Sequence, residues 1–285
     1  MATLEESYDI CEGLNKHFAK GYYFLSRLLP PDKRRHIYAL YGLHRYAREV
    51  VDKSRSALPE DRIESLELLS ERFFTDLGAG LSDEPVLMAA IDTIVKFDIP
   101  KEYFGRFLNS MRMDIDRSTF GDFSELSRYM DGSAGVVGEI VQAVLGVSSD
   151  LAIENARELG IAIQLTYFIR DISTDLDREK IYIPQDEIEG FGAAAAFENR
   201  KPNEGFRELL KFEIARTRDL YERSKAGDKF FDQSAGKCIS AIRSVNSQVL
   251  DLIESVDYDV FSVRVQVPAL DKLRVLAGAR LARNN

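Results

Sequence analysis

Apolar positions recur at three- and four-residue steps through most of the chain. Ile37, Leu40, Tyr41 and His44 make one such run, Leu126, Tyr129, Met130 and Ser133 a second, and Leu159, Ala162, Ile163, Thr166 and Ile169 a third. Strict alternation is scarce, and the run from Ser262 to Val267 is the main candidate strand. Prolines stand at 30, 31, 59, 85, 100, 184, 202 and 268, which leaves residues 101–183 and 203–267 free of them. An interior proline costs a helix about 3 kcal/mol, so these stretches permit long helices. The pattern predicts an all-α chain with helices near 4–18, 31–53, 60–78, 84–95, 100–110, 122–146, 148–175, 205–226, 230–256 and 268–281. Breaks fall at Leu29-Pro30-Pro31, at Gly78-Ala79-Gly80, at Gly121-Asp122 and between Pro184 and Pro202. No repeat of fixed period and no Gly/Ser linker is visible, so residues 1–285 read as a single domain.

Composition narrows the class. A chain of 285 residues with 45% hydrophobic content can bury a sizeable core. Acids outnumber bases 47 to 38, and a net charge of -9 argues against a nucleic-acid binder, whose footprint would be basic. Cys11 and Cys238 are too few for a disulfide framework or a metal-ligand cluster. The N-terminal residues lack a basic start followed by an apolar run, and no stretch approaches about 18 apolar residues. The expected setting is cytoplasmic.

Three segments could carry chemistry. In the first, Gln164 to Asp177, Asp171 and Asp175 sit four residues apart and share a helix face, with Gln164, Tyr167 and Arg170 nearby. Like charges at that spacing repel. A divalent cation reverses the sign, and Mg2+ binds through one or two carboxylates plus substrate phosphates. Spacing alone fits equally a solvated acidic face near a helix end. In the second, Arg45, Arg48, Glu49 and Asp52 form a stripe that could ligate a metal or meet phosphate. Read alone, an intrahelical ladder of ion pairs is the simpler account. His17, His36 and His44 show no ligand spacing and read as structural or surface groups. The third segment, Tyr129-Met-Asp-Gly-Ser-Ala-Gly-Val-Val-Gly138, presents a thin surface suited to a close helix neighbour or to a ligand tail.

Together these segments resemble the phytoene/squalene synthase family, the head-to-head prenyl diphosphate condensing enzymes. The residues carrying the resemblance are QLTYFIRDISTDLDREKIYIPQDE from Gln164 to Glu187, YMDGSAGVVGE from Tyr129, Tyr38-Ala39-Leu40-Tyr41, and Tyr258-Asp259-Val260-Phe261 followed by Arg264-Val-Gln-Val-Pro268. The similarity implies an isoprenoid-synthase-type helical bundle around a central cavity, closest to phytoene synthase. It implies joining of two geranylgeranyl diphosphates through a cyclopropyl intermediate, with Mg2+, or Mn2+ in its place. It assigns Asp171, Asp175, Asp52 and Glu49 to the metal, Arg45, Arg48, Arg170 and Gln164 to diphosphate, and Tyr129 to the cation. NADPH is not expected, since no dinucleotide fingerprint is found. The implied partner is the prenyl diphosphate substrate, with no nucleic acid. Its oily tail suggests peripheral membrane contact, though no strongly basic amphipathic helix stands out; the oligomeric state is left open.

Several positions depart from the family's pattern. Arg48 takes the place of the leading carboxylate of the first acidic motif, Tyr167 that of an Asn, and Asn246 that of a Tyr in the late helix. The run Ala19-Lys20-Gly21 lacks the usual hydroxyls before the aromatic pair Tyr22-Tyr23. Arg48 therefore either touches diphosphate in place of one metal, or marks a member that condenses nothing. The expectation is weakened metal binding on the first-motif side and an intact site at Asp171 and Asp175. Farnesyl diphosphate as substrate, cyclisation of a single diphosphate, and a non-catalytic prenyl-binding role are the alternatives.

Overall fold

A computed structural model describes residues 2–53, 58–147 and 149–281, with the side chains of 51–53 excepted. Among the described residues every regular element is helical, apart from one isolated parallel bridge between Thr119 and Ile181. In chain order the α-helices are α1 (Leu4–Phe18), α2 (Lys20–Ser26), α3 (Pro31–Lys53), α4 (Pro59–Ala79), α5 (Pro85–Lys96), α6 (Lys101–Asp116), α7 (Phe123–Met130), α8 (Val136–Leu145), α9 (Asp150–Arg170), α10 (Ile172–Leu176), α11 (Gln185–Gly190), α12 (Ala194–Asn199), α13 (Glu204–Ser224), α14 (Gln233–Ser255) and α15 (Ala269–Leu281). A π-helical turn, Asp131–Gly135, joins α7 to α8, and a 3-10 turn, Lys225–Phe230, follows α13.

Local chemistry sets the helix starts. Thr3 and Glu6 form a reciprocal capping box on α1, and Asp122, Asn203 and Asp232 each accept a backbone N–H at the starts of α7, α13 and α14. Pro31, Pro59 and Pro85 open their helices where the missing N–H costs nothing.

The largest core gathers around α9, which carries buried Leu159, Ala162, Leu165, Phe168 and Ile169 against residues of α7, α13 and α14. A second core lies among α3, α4, α5, α6 and α8. A smaller one joins α1, α3 and α5, and there a polar network is buried. The Tyr8 hydroxyl donates to Asp92 at 2.5 Å and lies 2.9 Å from His36 Nδ1, while Lys96 Nζ lies 3.0 Å from His36 Nε2. With Lys96 donating to Nε2, the imidazole is neutral and carries its proton on Nδ1. Burial and the Lys96 charge accordingly push the His36 pKa down to about 4.

Four expectations are corrected. Residues 262–267 form no strand; their alternation buries Val265 and Val267 in an irregular segment laid on the helical core. The helix expected over 148–175 ends at Arg170, and Asp171 (φ -98°, ψ 11°) turns the chain into α10. The one expected over 122–146 is interrupted by the π turn. Finally, α2, α11 and α12 occupy stretches read as breaks or connections, because short helices show too few turns for periodicity to register.

Candidate active site

The run after α9 sets the geometry. Asp175 N donates to Asp171 O at 2.8 Å, so the turn is kept across the helix break and both carboxylates stay on neighbouring positions. The chain then lies along the end of α6: Ile181 N donates to Ser118 O at 2.8 Å, and Gln185 N to Phe120 O at 2.9 Å. Lys180 Nζ closes the corner by donating to the carbonyls of Asp114 and Arg117. Tyr182 is thereby fixed against Phe168 with ring centroids 4.1 Å apart and 9° between planes, and Tyr129 stacks on Tyr182 at 5.8 Å. Phe120 adjoins Tyr129 at 5.2 Å and completes an aromatic wall.

At the polar end of this wall Tyr182 donates its hydroxyl to Asp114 Oδ1 at 2.6 Å, and Arg48 Nη1 lies 3.9 Å from Asp114 Oδ2. Asp114 thus links the first-motif helix to the second motif. It belongs to no recognised signature. Its signal is an acid on the apolar register of α6, seven and three residues after buried Phe107 and Met111.

Electrostatics mark the cluster. Burial, then the charges of Asp171 and Asp114, push the Asp175 carboxyl up to about 7, while Arg178 and Arg48 pull the other way. Burial is the larger cause, so the Asp175 carboxyl is a desolvated group whose charged form a bound cation would favour. Asp171 is already engaged: Arg170 grips it through Nε at 2.7 Å and Nη2 at 2.5 Å. Burial and the Asp114 charge raise the Tyr129 phenol well above its ordinary range, so it stays protonated.

The departures from the family pattern also meet one another. The Tyr22 and Tyr167 hydroxyls are 2.6 Å apart, and Tyr22 is hydrogen-bonded to Asn246. Asn246 donates one amide N–H to Ile242 O at 2.8 Å and has its second to offer the Tyr22 oxygen. Arg170 lies over the Tyr167 ring at 4.5 Å. Tyr167 therefore stacks under a guanidinium and feeds a hydroxyl chain.

Other expected site residues stand as follows. Arg45 pairs with Glu49 at 2.9 Å and lies over the Phe18 ring at 4.0 Å, one rung of the expected ladder, while Arg48 turns to Asp114 instead. Gln164 is half-buried on α9, about two turns before Asp171. The side chain of Asp52 lies outside the described residues. Among the described residues no three His, Cys, Asp or Glu side chains converge closely enough to hold an ion by themselves. The donor set still suits Mg2+, which takes one or two carboxylates and completes its shell with water and substrate phosphates.

The glycine-rich segment proves to be a packing device. A Cβ on Gly138 would strike the Ala156 carbonyl, and one on Gly160 the Ala134 carbonyl, so α8 and α9 touch backbone to backbone. A four-charge clamp holds the π turn: Arg106 binds Asp131 at 2.7 Å and Glu139 at 3.0 Å, and Arg157 binds both acids. Two apolar cavities are narrow. One lies beside Asp175, lined by Phe168, Ile172, Tyr182 and Ile183, with about 0 Å³ of free volume; the other, with about 10 Å³, lies among Leu43, Phe73 and Phe107. Ligand pockets run to about 300–1,000 Å³, so admitting a long tail requires the lining side chains to part.

The sequence profile described as squalene/phytoene synthase matches residues 15–271. The chain belongs to the squalene/phytoene synthase family. Similar members include the phytoene synthase of Arthrospira platensis, 33% identical over 98% of this chain and 94% of its own. The 15-cis-phytoene synthase of Synechocystis sp. is also 33% identical, over 98% of this chain and 86% of its own. Among solved structures, a dehydrosqualene synthase with a ligand superposes with a TM-score of 0.88 at 21% identity, over 97% of this chain and 96% of that one. Squalene synthase HpnC from Alicyclobacillus acidocaldarius gives 0.80 at 24% identity, over 90% and 96%. The family's all-α fold is therefore the fold of this chain.

Proposed function

We propose that this chain condenses two prenyl diphosphates head to head, with geranylgeranyl diphosphate as substrate and phytoene as product, and that it does so as one domain. The observation that supports the site assignment is the Asp171–Asp175 turn next to the aromatic wall of Tyr129, Phe168, Tyr182 and Phe120, with Asp114 bonded to Tyr182 at the wall's polar end. Curated relatives that this chain spans almost end to end are phytoene synthases, which favours the longer substrate.

Asp171 and Asp175 would hold Mg2+, with Asp52 and Glu49 contributing from the first motif. Bound there with diphosphate, the metal would neutralise the leaving group. Arg170 and Arg45 present guanidinium groups for diphosphate oxygens, and Gln164 lines the approach. Arg48 supplies a fixed positive charge on the first-motif side, where Asp114 holds it. The aromatic wall faces its rings to an allylic cation and excludes water that would quench it. Tyr129, kept protonated, serves as a hydrogen-bond donor rather than a base. No helix among the described residues is long and apolar enough to cross a membrane.

Product analysis tests this reading. Purified protein given geranylgeranyl or farnesyl diphosphate with Mg2+ should yield a C40 hydrocarbon from the first, and EDTA should stop it. A C30 product from farnesyl diphosphate alone would move the assignment to the squalene type. A cyclic C20 product, or no turnover with either substrate, would refute condensation.

A further inference from the structure

The two arginines offered to diphosphate, Arg45 and Arg170, are built alike. Arg45 lies over the Phe18 ring at 4.0 Å and sets Nε and Nη2 against Glu49 Oε1, each at 2.9 Å. Arg170 lies over the Tyr167 ring at 4.5 Å and sets Nε and Nη2 against the Asp171 carboxylate at 2.7 and 2.5 Å. An aromatic face favours one plane for a guanidinium, and a carboxylate on its Nε–Nη2 edge fixes its rotation in that plane. Both side chains keep solvent access, at 33% and 28% exposure.

Both arrangements trace to one short stretch of chain. Phe18 ends α1, and Tyr22 lies four residues on, in α2, past the corner at Ala19 (φ -123°, ψ 44°). Phe18 reaches α3 and covers Arg45. Tyr22 reaches α9, where its hydroxyl lies 2.6 Å from that of Tyr167 and holds the far end of the ring under Arg170. Burial raises both phenols, so the two hydroxyls meet as neutral groups. Tyr167 and Arg170 share a helix face at three-residue spacing. Arg170 can meet Asp171, its neighbour in sequence, because α9 ends between them. Phe18 is 47% exposed, so its ring can be exchanged without opening the core.

We propose that Phe18, and Tyr22 acting through Tyr167, are positioning residues that set the two guanidinium planes, so that the Nη1 ends of Arg45 and Arg170 meet diphosphate oxygens. The corner between α1 and α2 thereby orients both arginines together. A seated arginine loses less freedom when the oxyanion arrives, and affinity rises by that difference. The proposal rests on the diphosphate reading of Arg45 and Arg170 given above.

The experiment is titration calorimetry of the full chain with inorganic pyrophosphate and Mg2+, without prenyl substrate. Phe18→Leu and Tyr167→Leu should each weaken binding by about three- to tenfold, while Phe18→Tyr, which keeps an aromatic face, should bind as wild type does. Tyr22→Phe should weaken binding by about threefold. In an Arg45→Gln background Phe18→Leu should have no further effect, and in an Arg170→Gln background neither should Tyr167→Leu nor Tyr22→Phe. Thermal melting confirms that each variant is folded, and Phe18→Leu and Tyr22→Phe keep the test decisive should Tyr167→Leu misfold. Losses that persist in full where the arginine is absent would reveal a general packing effect and overturn the proposal. Wild-type affinity in folded Phe18→Leu and Tyr22→Phe would overturn it too, and, with losses in Arg45→Gln and Arg170→Gln, would leave the diphosphate reading standing. If those two arginine variants bind pyrophosphate as wild type does, or wild type binds none, the diphosphate reading falls and the proposal with it.

Discussion

Asp175 is the residue on which the local electrostatics turn. Its carboxyl is raised to about 7 by burial and by Asp171. Without metal, the folded state keeps a proton between pH about 4 and 7 that the unfolded chain has released, so this group's contribution to stability falls as pH rises through that window and is level above it. Urea denaturation in EDTA should therefore show Asp175→Asn gaining midpoint relative to wild type at pH 8 and little at pH 4. Equal gains at both pH values would contradict the assignment. Arg48 acts in the opposite direction, holding Asp175 and Tyr129 lower than they would otherwise be. Arg48→Met should cut kcat/KM by about 10-fold or more and shift the acidic limb of the pH–rate profile upward. A rise in activity would instead mark Arg48 as an impediment. At this scale the acid pair and Arg170 were legible in sequence because four-residue spacing survives a helix break. Asp114 and Tyr22 were not, since each reaches the cluster through contacts 66 and 145 residues apart in the chain.

At the scale of elements, backbone contact between α8 and α9 fixes where Tyr129 and Asp171 stand relative to each other. Gly138→Ala puts a methyl group into the Ala156 carbonyl, and overpacking of that kind costs about 1–3 kcal/mol. Calorimetry should show a lower melting temperature, whereas Gly13→Ala, where a methyl group meets nothing within 4 Å, should be neutral or stabilising. A second device ties α1, α3 and α5 through neutral His36. Its pKa of about 4 lies below the unfolded value, so the unfolded state gains a proton first as pH falls from about 6.5, and stability drops until about pH 4. Comparing urea midpoints at pH 7.5 and pH 5 should show a shallower drop for His36→Gln than for wild type; an unchanged drop would mean the imidazole is not the titrating group. Long helices were readable from periodicity and proline placement. The π turn was not, because it depends on the Arg106–Asp131–Glu139–Arg157 clamp and on neighbouring backbones, which local sequence does not encode.

Across the whole molecule, the three motif-bearing segments meet through α6 and the bridge between residues 119 and 181, so the site is a property of packing rather than of any one helix. The narrow cavities place a demand on the same architecture, since a prenyl tail enters only as the aromatic and aliphatic lining moves apart. The acid pair, Asp171 at the break after α9 and Asp175 on α10, drives loss of diphosphate from two prenyl substrates. The most direct test of that role is pyrophosphate release with geranylgeranyl diphosphate and Mg2+, comparing wild type with folded Asp171→Asn and Asp175→Asn. The account predicts two pyrophosphates per C40 hydrocarbon from wild type and a loss of about 10^3-fold or more in either variant. Turnover in the variants close to that of wild type would contradict it.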